Sequence, residues 1–287
     1  MTALECLLSN LFDYAGLFPP ASLSLPVAVE NYLNYSRSPQ KRFLGCFVLP
    51  VSQLTALHQI LIDAGSKFPL SVTGLDTAPW VERGFDSLTA LNIQAIEVKA
   101  ESSAQILSLF RRLPSGMIPY FEIPVERVTR DILSVVRSCG GRAKLRMGGV
   151  TAAAIPDPIA VAVALQQLVI SRLPFKATAG LHHPIRSVHS LSSQSTAPRA
   201  MMHGFLNFCC ATALLHFGGS LQDATKLLNE EDPSAWRIAD DFIQWRDVIW
   251  TIPQIAEWRR SSLMSIGSCS FTEPFEDLEA LGWLQSR

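Results

Sequence analysis

Several features that would assign this 287-residue chain to a functional class are missing from it. Its six cysteines contain no Cys-x-x-Cys pair, so we expect free thiols in a reducing compartment rather than a zinc or redox motif. The formal net charge is −1 and no block of lysine and arginine stands out, which argues against nucleic acid as a partner. Neither a Gly-x-Gly-x-x-Gly fingerprint nor a Walker loop is present, so nucleotide binding has no support.

Long hydrophobic runs are also absent. The most apolar windows, 159–170 and 205–215, are shorter than the roughly 20 residues that a membrane-spanning helix needs. The first residues lack the basic and apolar regions of a signal peptide. We therefore expect a cytoplasmic protein without membrane contact, for which a homo-oligomer stays open.

Short apolar runs alternate with helical segments through the first two thirds of the chain. Strands separated by helices of about 10 to 15 residues are typical of βαβ units and a parallel sheet. We predict an α/β fold, a closed (β/α)8 TIM-like barrel with irregular last strands and extra C-terminal helices; an open doubly wound sheet is the alternative. The predicted strands are 42–50, 69–76, 94–100, 119–124, 142–149 and 174–181.

The remaining segments are placed around this series. Residues 1–41 are expected to pack on the barrel, and the Ser-rich stretch 187–199 predicts a flexible loop or lid. A seventh strand fits within 235–245, although that stretch is equally compatible with a helix, and an eighth fits within 264–271. Because no linker or break in composition divides the series, we predict one domain over 1–287.

Charged residues share one parity along four successive predicted strands. Since side chains alternate along a strand and the outer face must pack beneath helices, the charged parity is expected to face the lumen. A purely structural ion-pair network is the alternative, but such networks seldom stabilise a fold relative to apolar packing. The inward charges are Glu97, Lys99, Glu122, Lys144, Arg146 and Lys176.

This set holds four cations and two carboxylates near the C-terminal mouth, where barrel enzymes keep their sites. We expect the positive excess to attract an anionic substrate and to lower the pKa of at least one lysine. A lysine with a lowered pKa suits imine formation with a carbonyl substrate.

Residues 175–180, Phe-Lys-Ala-Thr-Ala-Gly, resemble the Phe/Ile-Lys-Thr-Ser-Thr-Gly strand of deoxyribose-phosphate aldolases, in which the lysine forms the imine. The likeness covers Lys176, Thr178 and Gly180. That family carries a second lysine on the next strand, in a Lys-x-x-Gly-Gly turn that holds phosphate. Here the comparable Lys144 lies on the preceding strand. The resemblance implies a class I aldolase-like barrel with Lys176 as imine former and Lys144 or Lys99 lowering its pKa.

The chain as a whole resembles a group of bacterial proteins that have no assigned reaction. It shares with them four motifs in the same order: Asp-Tyr-Ala-Gly-Leu-Phe-Pro-Pro-Ala at 13–21, Phe-Lys-Ala-Thr-Ala-Gly-Leu-His-His-Pro at 175–184, His-Gly-Phe-Leu-Asn at 203–207, and Gly-Ser-Cys-Ser-Phe with Glu-Pro at 267–274.

Polar residues beyond the strand of Lys176 are further candidates. His182, His183 and Arg186 follow it in a mouth loop, where acid–base groups and anion ligands are useful; backbone capping and solvation are the alternative. His203 and Asn207 are four residues apart and would share a helix face, reaching a ligand if that helix covers the mouth. A buried, satisfied histidine with a neighbouring amide is equally compatible.

Gly148 and Gly149 end a strand and would offer backbone amides to phosphate or carboxylate, unless they form an ordinary turn. Thr178 shares the parity of Lys176 and is assigned to substrate binding. Cys269 is predicted to be a buried thiol, since no partner histidine can be placed beside it. His189 or His203 would be needed to complete a metal site, but no ligand spacing supports one, and we predict neither metal nor cofactor.

We therefore predict an enzyme that acts on a small anionic carbonyl compound. The assigned roles are Lys176 as nucleophile or base, Glu122 or Glu97 in proton transfer, Lys144, Arg146 and Lys99 on the anion, and His182 or His183 as the mouth acid or base. Two alternatives stay open: isomerase or lyase chemistry without an imine, and a non-catalytic ligand-binding barrel.

Overall fold

Eight strands close into a barrel in which every neighbouring pair is parallel. The computed structural model describes residues 1–75, 91–113, 116–192 and 197–284. The first seven barrel strands are β1 (Phe12–Tyr14), β2 (Leu44–Pro50), β3 (Leu70–Thr73), β4 (Ile93–Lys99), β5 (Ile118–Glu122), β6 (Arg142–Arg146) and β7 (Phe175–Thr178).

Among the described residues, five strands lie outside the barrel before the chain returns to it. They are β8 (Ser187–Ser190), β9 (Arg199–Met202), β10 (Trp236–Ile238), β11 (Phe242–Trp245) and β12 (Val248–Thr251). The eighth barrel strand, β13 (Leu263–Ser268), inserts between β7 and β1 and completes the closure. The predicted (β/α)8 barrel is confirmed.

Helices cover the outside of the barrel and its C-terminal additions. Several begin at side chains that satisfy a free backbone N–H: Ser102 accepts from the amide of Gln105, and Asp157 accepts from the amide of Ile159 with Pro158 in the first turn. The helices are α1 (Ala3–Leu8), α2 (Leu25–Tyr35), α3 (Leu54–Ala64), α4 (Ser103–Phe110), α5 (Arg130–Ser138), α6 (Pro158–Ile170), α7 (Phe205–His216), α8 (Leu221–Leu228), α9 (Ile252–Ser261) and α10 (Glu273–Ala280).

The barrel begins earlier in the chain than the sequence pattern predicted. Residues 1–41 do not only pack on the barrel, because they contain β1, which pairs with both β2 and β13. This strand has three residues, all buried, with an aspartate at its centre. Three residues are too few to predict a strand from their alternation alone.

β1 supplies one of the eight barrel strands. The prediction of a seventh barrel strand within 235–245 is therefore wrong. Residues 235–245 instead contribute β10 and β11, which form an antiparallel sheet with β12 beside the barrel. The eighth predicted strand, 264–271, is confirmed as β13. The strand predicted at 69–76 forms over Leu70–Thr73, and its last residue lies outside the described residues.

The Ser-rich stretch 187–199 was predicted to be a flexible loop, and its ends are instead ordered strands. β8 pairs antiparallel with β9 from Ser187 opposite Met202 to Ser190 opposite Arg199. Residues 193–196 of the predicted loop lie outside the described residues.

The predicted parity of the strands holds in the core. Phe121, Leu145 and Phe175 are fully buried on the outer face of the barrel, beneath the helices. Burial of each such side chain stabilises the fold by about 1.5–3 kcal/mol. The outer face is therefore apolar, and the charges on the same strands point inward.

One helical stretch, Ala152–Ile170, has the length (19 residues) and hydropathy (1.6) of a membrane span. It contains α6, which connects β6 to β7 and buries Val161, Leu165 and Leu168. A crossover helix packed on a parallel sheet meets the same criterion.

Candidate active site

Six charged side chains form one continuous chain of ion pairs inside the barrel. Lys176 Nζ lies 2.6 Å from Asp13 Oδ2 and 2.6 Å from Glu97 Oε1. Lys144 Nζ lies 2.7 Å from Glu97 Oε2 and 2.7 Å from Glu122 Oε2. Arg146 Nε ends the chain, 2.8 Å from Glu122 Oε1. Carboxylates and cations therefore alternate along the whole chain.

The strand register produces this arrangement. Lys144 is the register partner of Lys176 on the neighbouring strand, and Glu122 on the other side is the partner of Lys144. Partners in a parallel pair point to the same face, so the three side chains enter the lumen at one level. The charged side chains of β4 to β7 thus face the lumen together, as their parity predicted.

Asp13 is a member of the chain that sequence reasoning missed. Besides Lys176, its carboxylate accepts hydrogen bonds from Ser265 Oγ at 2.7 Å and from the backbone amide of Cys46 at 2.8 Å. The available signal was an aspartate between two aromatic residues, Phe12 and Tyr14, which is the alternation of an inward polar and two outward apolar side chains.

The prediction of a lowered lysine pKa is wrong for Lys176. Burial by itself lowers the pKa of this lysine, but the carboxylates of Asp13 and Glu97 outweigh burial and raise it above its ordinary value. The ring of Tyr120 adds to the stabilisation of the cation, with Nζ 5.3 Å from its centroid. Lys176 is therefore protonated at neutral pH.

Glu97 and Glu122, the two glutamates in the chain of ion pairs, are ionised. Burial acts to raise the pKa of Glu97, but Lys144 and Lys176 outweigh it and hold the pKa below its usual range. The same opposition, with Lys144 and Arg146 as the cations, lowers the pKa of Glu122. Ser71 Oγ also donates to Glu97 at 2.6 Å.

The positive excess in the lumen is smaller than predicted, because Asp13 adds a third carboxylate. The chain of pairs holds three carboxylates and three cations. Lys99 is the remaining predicted cation; it is exposed and has no ion-pair partner within the described part of the chain. The charged residues of the lumen thus carry a net charge of about +1, and the exposed Lys99 makes it available to a ligand.

The chain of ion pairs borders a cavity of about 580 Å³ at the C-terminal ends of the strands, called here the mouth cavity. Its lining includes ten of the predicted site residues: Glu97, Lys99, Glu122, Lys144, Arg146, Gly148, Gly149, Lys176, Thr178 and His182. Lys176 also borders a second cavity of about 390 Å³, which opens between the N-terminal ends of the strands and is called the lower cavity. Lys176 therefore separates the two spaces.

The glycines at the mouth are required by packing. A Cβ on Gly148 would lie 2.8 Å from the Cα of Gly180, and Gly180 has a positive φ of 72°. The turns after β6 and β7 thus touch backbone to backbone. Gly149 lines the mouth cavity beside them. The two glycines can therefore form an ordinary turn and still offer backbone amides to a ligand.

His183 lies apart from the lysines, in an adjoining cavity of about 710 Å³ that we call the histidine cavity. Its Nδ1 lies 2.6 Å from Asp277 Oδ2, and its ring stacks on His189 at 3.3 Å between centroids. His182 borders both this cavity and the mouth cavity. Only His182 of the pair therefore faces the lysine site.

Arg186, His203 and Asn207 do not line the mouth cavity. His203 is fully buried with Nε2 2.8 Å from the carbonyl of Pro156, and it precedes α7 rather than sharing a helix face with Asn207. The side chain of Asn207 accepts from the amide of Arg186 and donates to the carbonyls of Leu227 and Glu230. These residues join the turn after β7 to α7 and α8.

Within residues 1–75, 91–113, 116–192 and 197–284, no group of three histidine, cysteine, aspartate or glutamate side chains has the geometry of a metal site. Comparisons with protein-family models, curated proteins and solved structures return no significant match to the chain. The site therefore has to be interpreted from its own geometry.

Proposed function

We propose that the protein is an enzyme that forms an imine between a barrel lysine and a small anionic carbonyl compound, with the chemistry of a class I aldolase or lyase. One observation carries the proposal. Lys144 and Lys176, partners on neighbouring strands, share the carboxylate of Glu97 beneath a cavity at the barrel mouth. A lysine with a second cation beside it is of the kind that forms imines.

We assign the imine to Lys144 and keep Lys176 as the permanent cation. Lys176 is held by two carboxylates and a tyrosine ring, and its side chain is 2% exposed. Lys144 borders the mouth cavity but not the lower cavity, and its side chain is 7% exposed. A ligand entering from the mouth thus meets Lys144 first.

Glu122 is the proton acceptor in this proposal. It lies 2.7 Å from Lys144 Nζ and is also paired with Arg146, whose side chain is 46% exposed. When Arg146 turns to an anionic group of the substrate, Glu122 loses one of the two cations that lower its pKa and becomes a stronger base. Binding of the anion is thereby coupled to deprotonation of the lysine.

The atoms balance without a further reactant. Lys144 gives one proton to Glu122, and its nitrogen forms a bond to the carbonyl carbon. A second proton then passes from that nitrogen to the carbonyl oxygen. The resulting hydroxyl leaves as water with the proton from Glu122, and a protonated imine is left. Lys176 and Glu97 stay charged throughout and fix the position of the lysine nitrogen.

Lys99 and the turn after β6 complete the anion site. Lys99 lacks an ion-pair partner among the described residues and lines the mouth cavity together with Gly148 and Gly149. An exposed cation, a half-exposed guanidinium and backbone amides are suited to a carboxylate or a phosphate. The substrate class is therefore a small keto acid, or an aldehyde or ketone that carries phosphate.

Borohydride trapping tests this function. The protein is incubated with a set of small aldehydes, keto acids and sugar phosphates, reduced, and weighed by intact mass spectrometry. We expect a substrate-sized adduct that is lost in Lys144→Met and kept in the exposed control Lys226→Met. Absence of an adduct from every compound would overturn the imine.

A second candidate is isomerase or lyase chemistry without an imine. The observation that favours it is the complete pairing of both lysines, each with two carboxylates, which suits amines that stay charged. Turnover of an anionic carbonyl compound without a trapped adduct would support this candidate. Anion binding with neither turnover nor adduct would leave a ligand-binding barrel.

A further inference from the structure

Cys269 and His182 lie side by side where the mouth cavity and the histidine cavity meet, and both residues line both spaces. Cys269 follows β13 directly, and His182 follows β7, the neighbouring strand. The distance from Cys269 Sγ to His182 Nδ1 is 4.0 Å. The partner histidine that the sequence did not reveal is therefore supplied by the adjacent strand.

The surroundings of His182 determine where its proton lies. Ser268 Oγ donates its own proton to the carbonyl of Ser270 at 2.6 Å, so it is an acceptor toward His182 Nδ1 at 3.3 Å. The second neighbour of Nδ1 is a carboxylate oxygen of Glu273 at 3.4 Å, also an acceptor. Nδ1 therefore carries the proton.

Contacts with Cys269 and Glu273 keep His182 cationic. Burial acts to lower the pKa of His182, but the hydrogen bonds with Cys269 and Glu273 outweigh it and raise the pKa to about 10. In return, the bond to His182 lowers the pKa of Glu273. An imidazolium beside a thiol favours the thiolate.

The other groups around Cys269 leave this pairing in place. Tyr14 is nearby, and burial raises the pKa of its hydroxyl to about 12, so it is neutral. The Glu273 carboxylate is bound to the imidazolium. Cys46 is a useful contrast, since it is also partly exposed, but burial and the nearby Asp13 raise the pKa of its thiol.

We propose that Cys269 is a nucleophilic thiolate, held by His182, that reacts with α,β-unsaturated carbonyl compounds in the space where the two cavities meet. The sulfur forms a bond to the β-carbon, the π electrons of the carbon–carbon double bond move to the α-carbon, and that carbon takes a proton from His182. No further reactant is needed. The reaction uses neither lysine, so it is independent of the imine proposed above.

N-ethylmaleimide, an α,β-unsaturated imide, is the probe. The intact, native chain is labelled at pH 6.5 and at pH 8.5, and the rate at each cysteine is read by peptide mass spectrometry. The labelling rate of an ordinary thiol falls about fiftyfold from pH 8.5 to pH 6.5. We expect the labelling rate of Cys269 to fall less than about fivefold from pH 8.5 to pH 6.5 and to exceed that of Cys46 at both pH values. A fiftyfold decrease, or no labelling of Cys269, would overturn the proposal.

His182→Gln is the matched variant, with His183→Gln as its control. Without the imidazolium, the labelling rate of Cys269 should fall about fiftyfold from pH 8.5 to pH 6.5, as that of an ordinary thiol does. His183 is bound to Asp277, so its replacement should leave the profile of Cys269 unchanged. An unchanged profile in His182→Gln would contradict the proposal. If that variant does not fold, the pH comparison on the native chain decides alone.

Discussion

The two halves of the barrel line the same lumen with different side chains. Strands β4 to β7 contribute five of the six side chains in the chain of ion pairs, whereas β13, β1, β2 and β3 contribute one, that of Asp13. The inward positions of the second half are uncharged apart from Asp13 and include the small or hydroxyl side chains of Ser71, Thr73, Ser265 and Gly267, together with Val48. The charged half supplies the chemistry, and the small-residue half leaves the space and two hydroxyl donors.

The contrast predicts where substitution affects the protein most. Charges in the first half depend on one another, since each cation of β6 and β7 contacts a carboxylate that another cation shares. Removal of one partner from a buried pair leaves an uncompensated charge and destabilises by about 3–5 kcal/mol. Exposed pairs contribute about 0–1 kcal/mol.

Glu97→Gln should have the largest effect, because both lysines depend on this carboxylate. We expect the free energy of unfolding to fall by about 4 kcal/mol, measured by urea denaturation. Glu101→Gln is the matched control: it removes a carboxylate paired with Arg127 at the surface and should change stability by less than about 1 kcal/mol. Equal effects of the two changes would contradict the account of the buried chain.

Asp13→Asn tests the single charge of the small-residue half. Lys176 keeps its bond to Glu97, so we expect a smaller loss, about 3 kcal/mol in urea denaturation. Ser265→Ala, which removes one hydrogen bond to Asp13, should cost about 1 kcal/mol. An Asp13→Asn variant as stable as the wild type would show that the second half does not take part.

The pH dependence of stability follows from Glu122 and its neighbours. The pKa of Glu122 is lowered in the fold, so its contribution is complete above its unfolded pKa of 4.5 and is lost as pH falls through the lower, folded value. Urea denaturation of the wild type at pH 7, 4.5 and 3 should show this loss. Glu122→Gln should be less stable at pH 7 and should lose less on acidification. A parallel loss in both proteins would refute this assignment.

Lys99→Ala should have the smallest effect on stability, within about 0.5 kcal/mol, because the side chain is exposed. Its effect should appear instead in anion binding, where we expect the dissociation constant of inorganic phosphate to rise about threefold to tenfold by calorimetry. Lys41→Ala, an exposed lysine that does not line the mouth cavity, serves as control. Equal phosphate affinity in the two variants would remove Lys99 from the site.

Much of the charged half could be predicted from sequence, because strands of four to seven residues show which parity is apolar. The other half could not, because β1 has three residues and its one charge is separated by 163 positions from the lysine that it binds. Without Asp13, the charge count was too positive and the pKa of Lys176 was predicted in the wrong direction.

Tertiary contacts explain the remaining errors. Asn207 has the polarity expected of a ligand-binding residue, yet backbone groups from the turn after β7 and from the end of α8 take up its amide. The pairing of Cys269 with His182 joins residues 87 positions apart and was equally invisible. Such contacts depend on which strands become neighbours, and the sequence pattern does not specify that order.

Peptide mapping of the borohydride-reduced protein tests the central claim most directly. The lysine that carries the substrate-derived mass identifies the reacting amine without any substitution in the buried chain. We predict modification of Lys144, with Lys176 unmodified because Asp13 and Glu97 hold it protonated. Modification of Lys176 with Lys144 unchanged would contradict the account.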